Sequence, residues 1–218
     1  MLGGSKSKTG GAGMFVGEVT ASEFITGTAL ASQIGITQGT VIPDAGWLKF
    51  DDTVDGKTKY ISKKPLRSHI SWDALNAVGA VFGSKTVVIK GSTYKVRLLK
   101  GIIANTLVGT TNGYDIPASH GCEWNRLMYR ISAKPFANPN NILASESIVE
   151  GDWASYSEAD LVTHSSHGNG SYQWCQETGT TPTTRVLRGH YGVSSLGRDT
   201  SSNSAAVYGW RACLELVP

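Results

Sequence analysis

The sequence predicts an α+β protein, in which short antiparallel strands pack with two helices and long loops. Three observations predict this class: two pairs of strand-like runs flank turn residues, two segments space their apolar residues as a helix does, and Gly- and Ser-rich stretches separate them. Aromatic residues make up 9% of the chain and include six Trp, which is enough for a packed core. The composition therefore excludes global disorder and collagen-like or coiled-coil architectures.

The strands are expected to include two hairpins. An Asp55-Gly56 pair separates the first two strand-like runs, and Asp-Gly before such a run is typical of a hairpin turn. The turn of the second hairpin is expected at Lys90-Gly91-Ser92, and the run after it alternates apolar and polar residues. The predicted strands lie at 47–50, 59–62, 86–89, 94–99, 171–177, 184–189 and 208–216.

Two helices are predicted, near 71–79 and 123–131. Ser71 can cap the first helix and Gly79 can end it in a left-handed conformation. The second helix repeats its apolar residues at i, i+3, i+4 and i+7, so that one stripe faces a core. These residues are Trp124, Leu127, Met128 and Ile131. A one-turn helix is expected at 157–161, and long loops at 104–121, 132–150 and 189–206.

The chain is expected to divide into residues 1–39 and residues 40–218. Residues 1–13 are rich in Gly and Ser, which cannot bury enough surface to offset the entropy of ordering, so they predict a flexible arm. Residues 14–39 carry apolar side chains that either pack on the main domain or dock on a partner, and we favour docking. They are therefore predicted to be an anchoring segment, and residues 40–218 the domain.

Charge and hydropathy exclude some classes of protein. The net charge of +3, from 20 basic and 17 acidic residues, is too weak and too dispersed for a nucleic-acid-binding protein. No stretch approaches the roughly 18 apolar residues of a membrane span, so no membrane insertion is expected. The first residues lack the apolar centre of a signal peptide. We therefore expect a protein made in a cytoplasm that leaves it only inside a larger particle.

Cysteine and histidine spacing predicts neither a metal site nor a cofactor. Cys122, Cys175 and Cys213 are far apart and form no Cys-x-x-Cys pair, which disfavours a disulfide framework and a zinc site. Cys175 and Cys213 lie in strand-like runs and are expected to be buried, whereas Cys122 is expected to be more exposed. His164 and His167 share a polar loop, where solvated histidines are more common than metal ligands.

Several motifs, taken in order, resemble a known fold. A Glu-Trp helix is followed by a strand with R-V-L-R-G, a long loop with Arg198 and a final G-W-R strand. The residues are 123–129, 185–189, 198 and 208–211. This order resembles the C-type-lectin-like fold, in the branch shared by formylglycine-generating enzymes and bacteriophage adhesins. The resemblance implies two helices packed on small twisted antiparallel sheets.

Residues 47–101 add a second resemblance. Their blocks W-L-K-F, I-S-K-K-P-L-R, I-S-W and Y-K-V-R-L-L-K-G are similar to those of a family of tailed-phage virion proteins with structural or tail-fibre-like roles. Together the two resemblances cover about residues 45–218. They imply a virion location, other virion proteins as partners through residues 14–39, assembly as a homo-oligomer, and a host glycan or protein as the ligand.

The sequence departs from the enzymes of this branch. A formylglycine-generating enzyme needs reactive, copper-binding cysteines before its closing strand, and no cysteine lies between Arg188 and Tyr208. The Gly-x-Ser-x-Gly elbow, the P-loop and the dinucleotide fingerprint do not occur, nor does the Glu-Pro-Asn or Gln-Pro-Asp signature of calcium-dependent sugar binding. A non-enzymatic protein is therefore predicted, either an adhesin that attaches to a host surface or a capsid decoration protein.

Aromatic residues on the loops are the predicted contact residues of an adhesin, because their rings give a large contact area at low entropy cost. They are Trp153, Tyr156, His167, Tyr172, His190 and Tyr191. The alternative is that these loops only cover the core.

Charged residues within apolar runs are expected to have structural roles. Buried Arg requires a partner, and for Arg188 and Arg211 the carboxylates of Glu123, Glu177 or Glu215 are available. Structural ion pairs are therefore predicted for Glu123, Arg188 and Arg211. Capping of backbone groups is the alternative for the two arginines.

Overall fold

The computed structural model describes residues 14–107, 121–133 and 153–218. These residues form two six-stranded sheets with a few short helices, which confirms the α+β class. The first sheet consists of β1 (Met14–Val19), β3 (Trp47–Asp52), β4 (Lys57–Ser62), β6 (Phe82–Ile89), β7 (Ser92–Arg97) and β12 (Cys213–Leu216). The second consists of β2 (Thr40–Val41), β5 (Arg67–Ser68), β8 (Tyr172–Thr178), β9 (Thr184–Gly189), β10 (Leu196–Thr200) and β11 (Tyr208–Trp210).

Both predicted hairpins are confirmed, and they lie in the first sheet. Its strand order is β1-β3-β4-β12-β7-β6, and all its pairs are antiparallel. The turn between β6 and β7 places Lys90 at φ 49° and Gly91 at φ 83°. A two-residue turn with two positive φ angles matches the right-handed twist of the flanking strands, which is why Gly is favoured there.

The predicted strand at 208–216 is two strands in two different sheets. It divides at Arg211 and Ala212, so that β11 lies in the second sheet and β12 lies in the first, between β4 and β7. Every residue from 208 to 214 is buried, so the run has no alternation to mark the break. The second sheet has the order β10-β9-β8-β11-β5-β2, with one parallel pair, β8 and β11. Its strand β10 lies within the predicted loop at 189–206, which is a further correction.

Residues 14–39 are part of this fold, so the prediction of a separate anchoring segment is wrong. Strand β1 pairs with β3, and α1 (Gly27–Ile34) follows, with Thr26 as its N-cap and Gly35 at φ 84° as its C-cap. Leu30, Ala31 and Ile34 are buried in the same core as residues of both sheets. Their i, i+1, i+4 spacing is helical, but a Gly-rich context concealed it. Residues 1–13 of the predicted flexible arm lie outside the described residues.

The other predicted helices are present. Helix α2 (Trp72–Ala77) begins after Ser71, whose Oγ accepts a hydrogen bond from the Ala74 amide, and α3 (Glu158–Leu161) begins with a capping box of Ser157 and Asp160. The helix near 123–131 contains a π-helical turn, Asn125–Tyr129. Its four apolar residues are buried as predicted, and Asn125 and Tyr129 are buried too, so protein surrounds this helix instead of covering one stripe.

The three cysteines are buried and form no disulfide with one another, and this includes Cys122, which was expected to be more exposed. Cys122 packs beside the helix that follows it, in a core cluster with Trp124 and Met128. Within the described residues, no helix has both the length and the apolar character that a membrane span requires.

Candidate functional site

Two loops lie side by side at one end of the second sheet and carry several aromatic rings. The first loop follows α3 and includes a 3-10 turn, Ser165–His167, and the second follows β9. The Ser165 amide donates to the His190 carbonyl at 2.8 Å, and the Gly192 amide donates to the Thr163 carbonyl at 2.7 Å. An antiparallel bridge between His164 and Tyr191 adds a third link. The two loops therefore form one surface.

Four rings from these loops form a continuous surface, which we call the ring patch: His164, His167, His190 and Tyr191. Ring centroids are 4.4 Å apart for His190 and Tyr191, 6.5 Å for His164 and Tyr191, and 5.8 Å for His164 and His167. Tyr191 is 47% exposed, and His167 is also exposed. The ring patch therefore offers both faces and edges of rings to solvent.

A stack of nearly parallel rings supports the ring patch from below. His190 stacks on Tyr172 at 4.8 Å, Tyr172 lies 6.3 Å from Tyr208, and Tyr208 lies 5.1 Å from the buried ring of Trp174. The Tyr172 ring lies against the backbone of Gly197 in β10, where an added Cβ would overlap the tyrosine hydroxyl. Glycine at position 197 therefore makes room for this ring.

Two residues of the site have strained backbone conformations. His190 has φ 72° and Val162, which ends α3, has φ 50°. A residue other than Gly in this region costs on the order of 1 kcal/mol or more and persists only where its surroundings hold it. The His190 amide donates to the Ser171 carbonyl at 3.0 Å, and Ser171 Oγ lies 3.3 Å from His190 Nδ1. These bonds fix the orientation of the His190 ring before any ligand binds.

Arg211 joins the end of α3, from which the first loop begins, to both sheets. Its Nε donates to Gln173 Oε1 at 2.6 Å, its NH1 donates to the carbonyls of Ser62 and Lys63, and its NH2 donates to the carbonyl of Leu161. Burial lowers the pKa of Arg211 to about 9, since its partners are all neutral. The predicted ion pair of Arg211 is therefore wrong among the described residues, because carbonyl oxygens satisfy the guanidinium.

The partners of Arg188 are also different from the predicted carboxylates. Its guanidinium donates to the Gly101 carbonyl at 2.9 Å, to Asn125 Oδ1 at 2.7 Å and to the Tyr129 hydroxyl at 2.9 Å. The carboxylate of Glu177 accepts a hydrogen bond from the Gly101 amide at 3.0 Å instead of pairing with Arg188. Burial raises the pKa of Glu177 to about 7.

Glu123 forms the predicted kind of interaction, an ion pair, and its partners are Arg97 and Lys59. Arg97 donates two hydrogen bonds to the carboxylate, at 2.6 and 2.8 Å, and Lys59 Nζ lies 2.7 Å from Glu123 Oε1. The same ammonium lies 2.7 Å from Asp52 and 2.5 Å from Asp55. We call these charges the Lys59 cluster. Although burial alone would raise the pKa of Glu123, the charges of Arg97 and Lys59 hold it well below its usual range.

The Lys59 cluster bears on metal binding as well. Within the described part of the chain, Asp52, Asp55 and Glu123 are the group whose carboxylate oxygens come close enough together to hold a cation. The Lys59 ammonium contacts all three carboxylates. This cluster therefore serves as an internal ion pair, which accounts for its converging carboxylates without a metal.

Four of the six predicted contact residues come together, in the ring patch and in the stack that supports it. They are His167, Tyr172, His190 and Tyr191. His164 was interpreted from the sequence as a solvated loop residue, yet its ring lies between those of His167 and Tyr191. Its position three residues before His167 in the same polar loop was the available signal.

Trp153 and Tyr156 lie elsewhere, so their prediction as contact rings is wrong. Trp153 is 8% exposed and packs in the core, with the guanidinium of Arg130 4.8 Å from its ring. Tyr156 is half-buried and packs against Phe15. A parallel bridge between Ser132 and Tyr156 draws this segment onto the core, and such a contact leaves no local mark in the sequence.

Two depressions accompany these features. A cleft of about 340 Å³ lies beside the ring patch and shares His167 with it, and we call it the Lys64 cleft. Its other lining residues are Thr40, Val41, Ile42, Pro43, Lys64, Ser68, Val162, Gly168 and Asn169. A groove of about 510 Å³ lies beside the Lys59 cluster, where Arg97, Glu123 and Arg126 are already paired with opposite charges.

Comparison with known proteins finds no matching family model, no similar curated protein and no similar solved structure.

Proposed function

We propose that the protein is a non-enzymatic structural protein of a tailed-phage virion, and that it displays a C-type-lectin-like domain for attachment to a host surface. The observation that carries this proposal is the ring patch, which brings exposed aromatic side chains from two loops onto one supported surface. The class of virion protein comes from the motif resemblance. Within it, the protein is synthesised in the host cytoplasm and assembled into particles.

The chemistry of the ring patch suits recognition. Tyr and His present apolar ring faces together with polar edges, so they can contact the C–H face of a sugar or a protein epitope. The ring stack and the bonds between the loops hold these rings in place, which reduces the entropy lost on binding. Recognition at such a surface needs no catalytic group.

The properties of the thiols support a non-enzymatic role. Thiolate is the reactive form of cysteine, and burial raises the pKa of Cys175 and Cys213 above its usual range. Both side chains are fully buried in the core. An oxidase of the formylglycine-generating type, which uses reactive cysteines, is therefore the least supported alternative.

A second candidate function is assembly of the virion shell, as in a capsid decoration protein. Strand β6 lies at an edge of the first sheet and exposes Phe82 and Val88, at 60% and 62%. Exposed apolar side chains on an edge strand are suited to contacts between subunits. Strand β1, at the opposite edge of this sheet, belongs to residues 14–39 and exposes the side chain of Val16. Contacts of residues 14–39 with other virion proteins would therefore use this edge.

Two substitutions distinguish these functions. Tyr191→Ala removes an exposed ring of the patch, and Phe82→Ala removes an exposed ring of β6. For an adhesin, Tyr191→Ala is expected to weaken attachment by more than ~1 kcal/mol, as truncation of a contact ring commonly does, while the protein stays folded. The measurements are adsorption of virions to host cells, incorporation of the protein into virions and thermal unfolding of the purified protein.

The reverse pattern decides against the adhesin. If virions with Tyr191→Ala and His167→Ala adsorb normally, while Phe82→Ala blocks incorporation, the shell function replaces attachment. Trp153→Ala is the control for a core ring. It is expected to cost ~3–5 kcal/mol of stability, because it leaves a cavity in the core.

A further inference from the structure

The Lys64 cleft and the ring patch are contiguous and chemically different. The cleft offers the Lys64 ammonium and the Asn169 amide, which are hydrogen-bond donors, together with the apolar side chains of Val41 and Pro43. The ring patch offers aromatic faces. His167 belongs to both, and its ring lies 5.8 Å from that of His164. One ligand can therefore contact rings and cationic donors at the same time.

The charge of the Lys64 cleft is positive. No carboxylate is among the described residues that line it, and Lys64 forms no ion pair within the described part of the chain. The neighbouring Lys63, by contrast, pairs with Glu18 at 2.6 Å. The groove beside the Lys59 cluster differs in another way, because the carboxylates of Asp55, Glu123 and Glu215 line it together with its cations.

The acidic groups near the ring patch are already engaged or lie apart from the cleft. On α3, Asp160 accepts hydrogen bonds from the amide and hydroxyl of Ser157, which lower its pKa more than the charges of Lys63 and Lys64 do. Glu158 lines a separate cleft of about 190 Å³ that His167 also borders.

The remaining titratable groups do not oppose an anion. On β10, the carboxylate of Asp199 is engaged, because it accepts hydrogen bonds from Tyr208 and Asn203. The other titratable side chains of the ring patch include three imidazoles, which carry no negative charge.

We propose that the ring patch and the Lys64 cleft together bind an anionic glycan, a sugar chain whose repeating unit carries a carboxylate or a phosphate. The proposal rests on the attachment function given above and names the ligand of the same site. Sugar rings stack on Tyr191 and His167, and the acid group of a neighbouring unit enters the cleft, where Lys64 and Asn169 bind it.

The test uses the full chain and three sets of oligosaccharides of equal length. Oligogalacturonate carries carboxylates, oligo(glycerol phosphate) with glucosyl substituents carries phosphates, and dextran oligomers are neutral. Affinity is measured for each set at the same pH and ionic strength. Wild type is expected to bind at least one anionic set at least tenfold more tightly than dextran. Which set binds identifies the acid group.

Two variants locate the binding. Lys64→Gln is expected to weaken binding of the anionic set at least fivefold, and rising salt is expected to weaken wild-type binding as well. Lys95→Gln is the matched control, because Lys95 is exposed on β7 in the first sheet, and it is expected to bind like wild type. Thermal unfolding of both variants checks that they are folded.

Other results overturn the proposal. Equal binding of dextran and the anionic sets, or no effect of Lys64→Gln, removes the anionic specificity. If no set binds while Tyr191→Ala still reduces virion adsorption, the attachment function stands and the ligand is a protein epitope instead. If Tyr191→Ala also adsorbs normally, the attachment function itself fails.

Discussion

Lys59 and Arg211 are both buried cations, yet their surroundings are opposite. Lys59 lies among the three carboxylates of Asp52, Asp55 and Glu123. Arg211 is satisfied by carbonyl and amide oxygens, three of them from the backbone. Lys59 is balanced by opposite charges, whereas Arg211 is held by neutral oxygens. One of these is the carbonyl of Leu161, so Arg211 holds the end of α3 from which the first loop of the ring patch begins.

The largest effect is expected where the ionic cluster is broken. Lys59→Met leaves the buried carboxylates of Asp52 and Glu123, and the exposed one of Asp55, without their ammonium. It is expected to cost about 3–5 kcal/mol of unfolding free energy, as measured with denaturant. Lys95→Met, at an exposed position, is the control and is expected to change stability by less than ~0.5 kcal/mol. A loss below ~1 kcal/mol for Lys59→Met would show that the cluster is not held together by charge.

A slightly smaller loss, about 3–4 kcal/mol, is expected for Arg211→Met, because buried carbonyls lose a charged donor. Unlike Lys59→Met, Arg211→Met is also expected to loosen the two loops of the ring patch. The amides of Ser165 and Gly192, which link the two loops, are expected to exchange faster with solvent, as measured by hydrogen exchange. Arg188→Met is the comparison, since the hydrogen-bond partners of Arg188 belong to neither loop. If hydrogen exchange is unchanged in Arg211→Met, the guanidinium does not stabilise the links between the two loops.

Glu177 provides a test that depends on pH. Because its folded-state pKa is raised to about 7 from the usual 4.5, the folded state binds the proton more tightly than the unfolded state. The contribution of Glu177 to the free energy of unfolding is therefore fully present below pH ~4.5. It is lost as the pH rises through ~7, by up to about 3 kcal/mol. Glu177→Gln is expected to remove this loss, so that the variant is more stable than wild type at pH 8. Denaturant titrations at pH 5 and pH 8 measure the unfolding free energy of wild type and of the variant. If both proteins change in stability with pH to the same extent, Glu177 is not the group responsible.

The smallest effect on stability is expected at the ring stack. Gly197→Ala places a methyl group where the Tyr172 hydroxyl lies and is expected to cost ~1–3 kcal/mol, because the ring must move. It is also expected to weaken attachment as Tyr191→Ala does, although it touches no exposed ring. A double-mutant cycle with Tyr172→Ala measures the coupling. If the two losses simply add, the glycine does not position the ring.

The local features of the fold were predictable from the sequence, and the long-range ones were not. Hairpin turns and helix caps depend on a few adjacent residues, so Lys90-Gly91 and Ser71 could be interpreted directly. The division of the run at Arg211 depends on which sheet covers each residue, and a fully buried run carries no such information. The segment 14–39 was misinterpreted because its apolar residues find their partners far along the chain.

The same distinction between local and long-range features holds for the candidate site. Rings within the Gly- and Ser-rich loops after α3 and β9 could be found from composition, because such a composition is typical of an exposed loop. Trp153 could not, because its burial depends on the hydrogen bond from its amide to the Arg130 carbonyl in another segment. For Arg188 and Arg211, the sequence offered carboxylates and, as the alternative, backbone groups. It could not choose between them, because the carbonyls that bind both guanidinium groups come from distant segments of the chain.

The position of β12 has a consequence for the growing polypeptide. The β3-β4 and β6-β7 hairpins are local and can form early, yet β12 lies between them and pairs with both β4 and β7. Until residues 213–216 have left the ribosome, each hairpin presents an open edge to other chains. A nascent chain shorter than that therefore needs protection from aggregation, and stalled translation before residue 213 would yield a product that chaperones and proteases recognise.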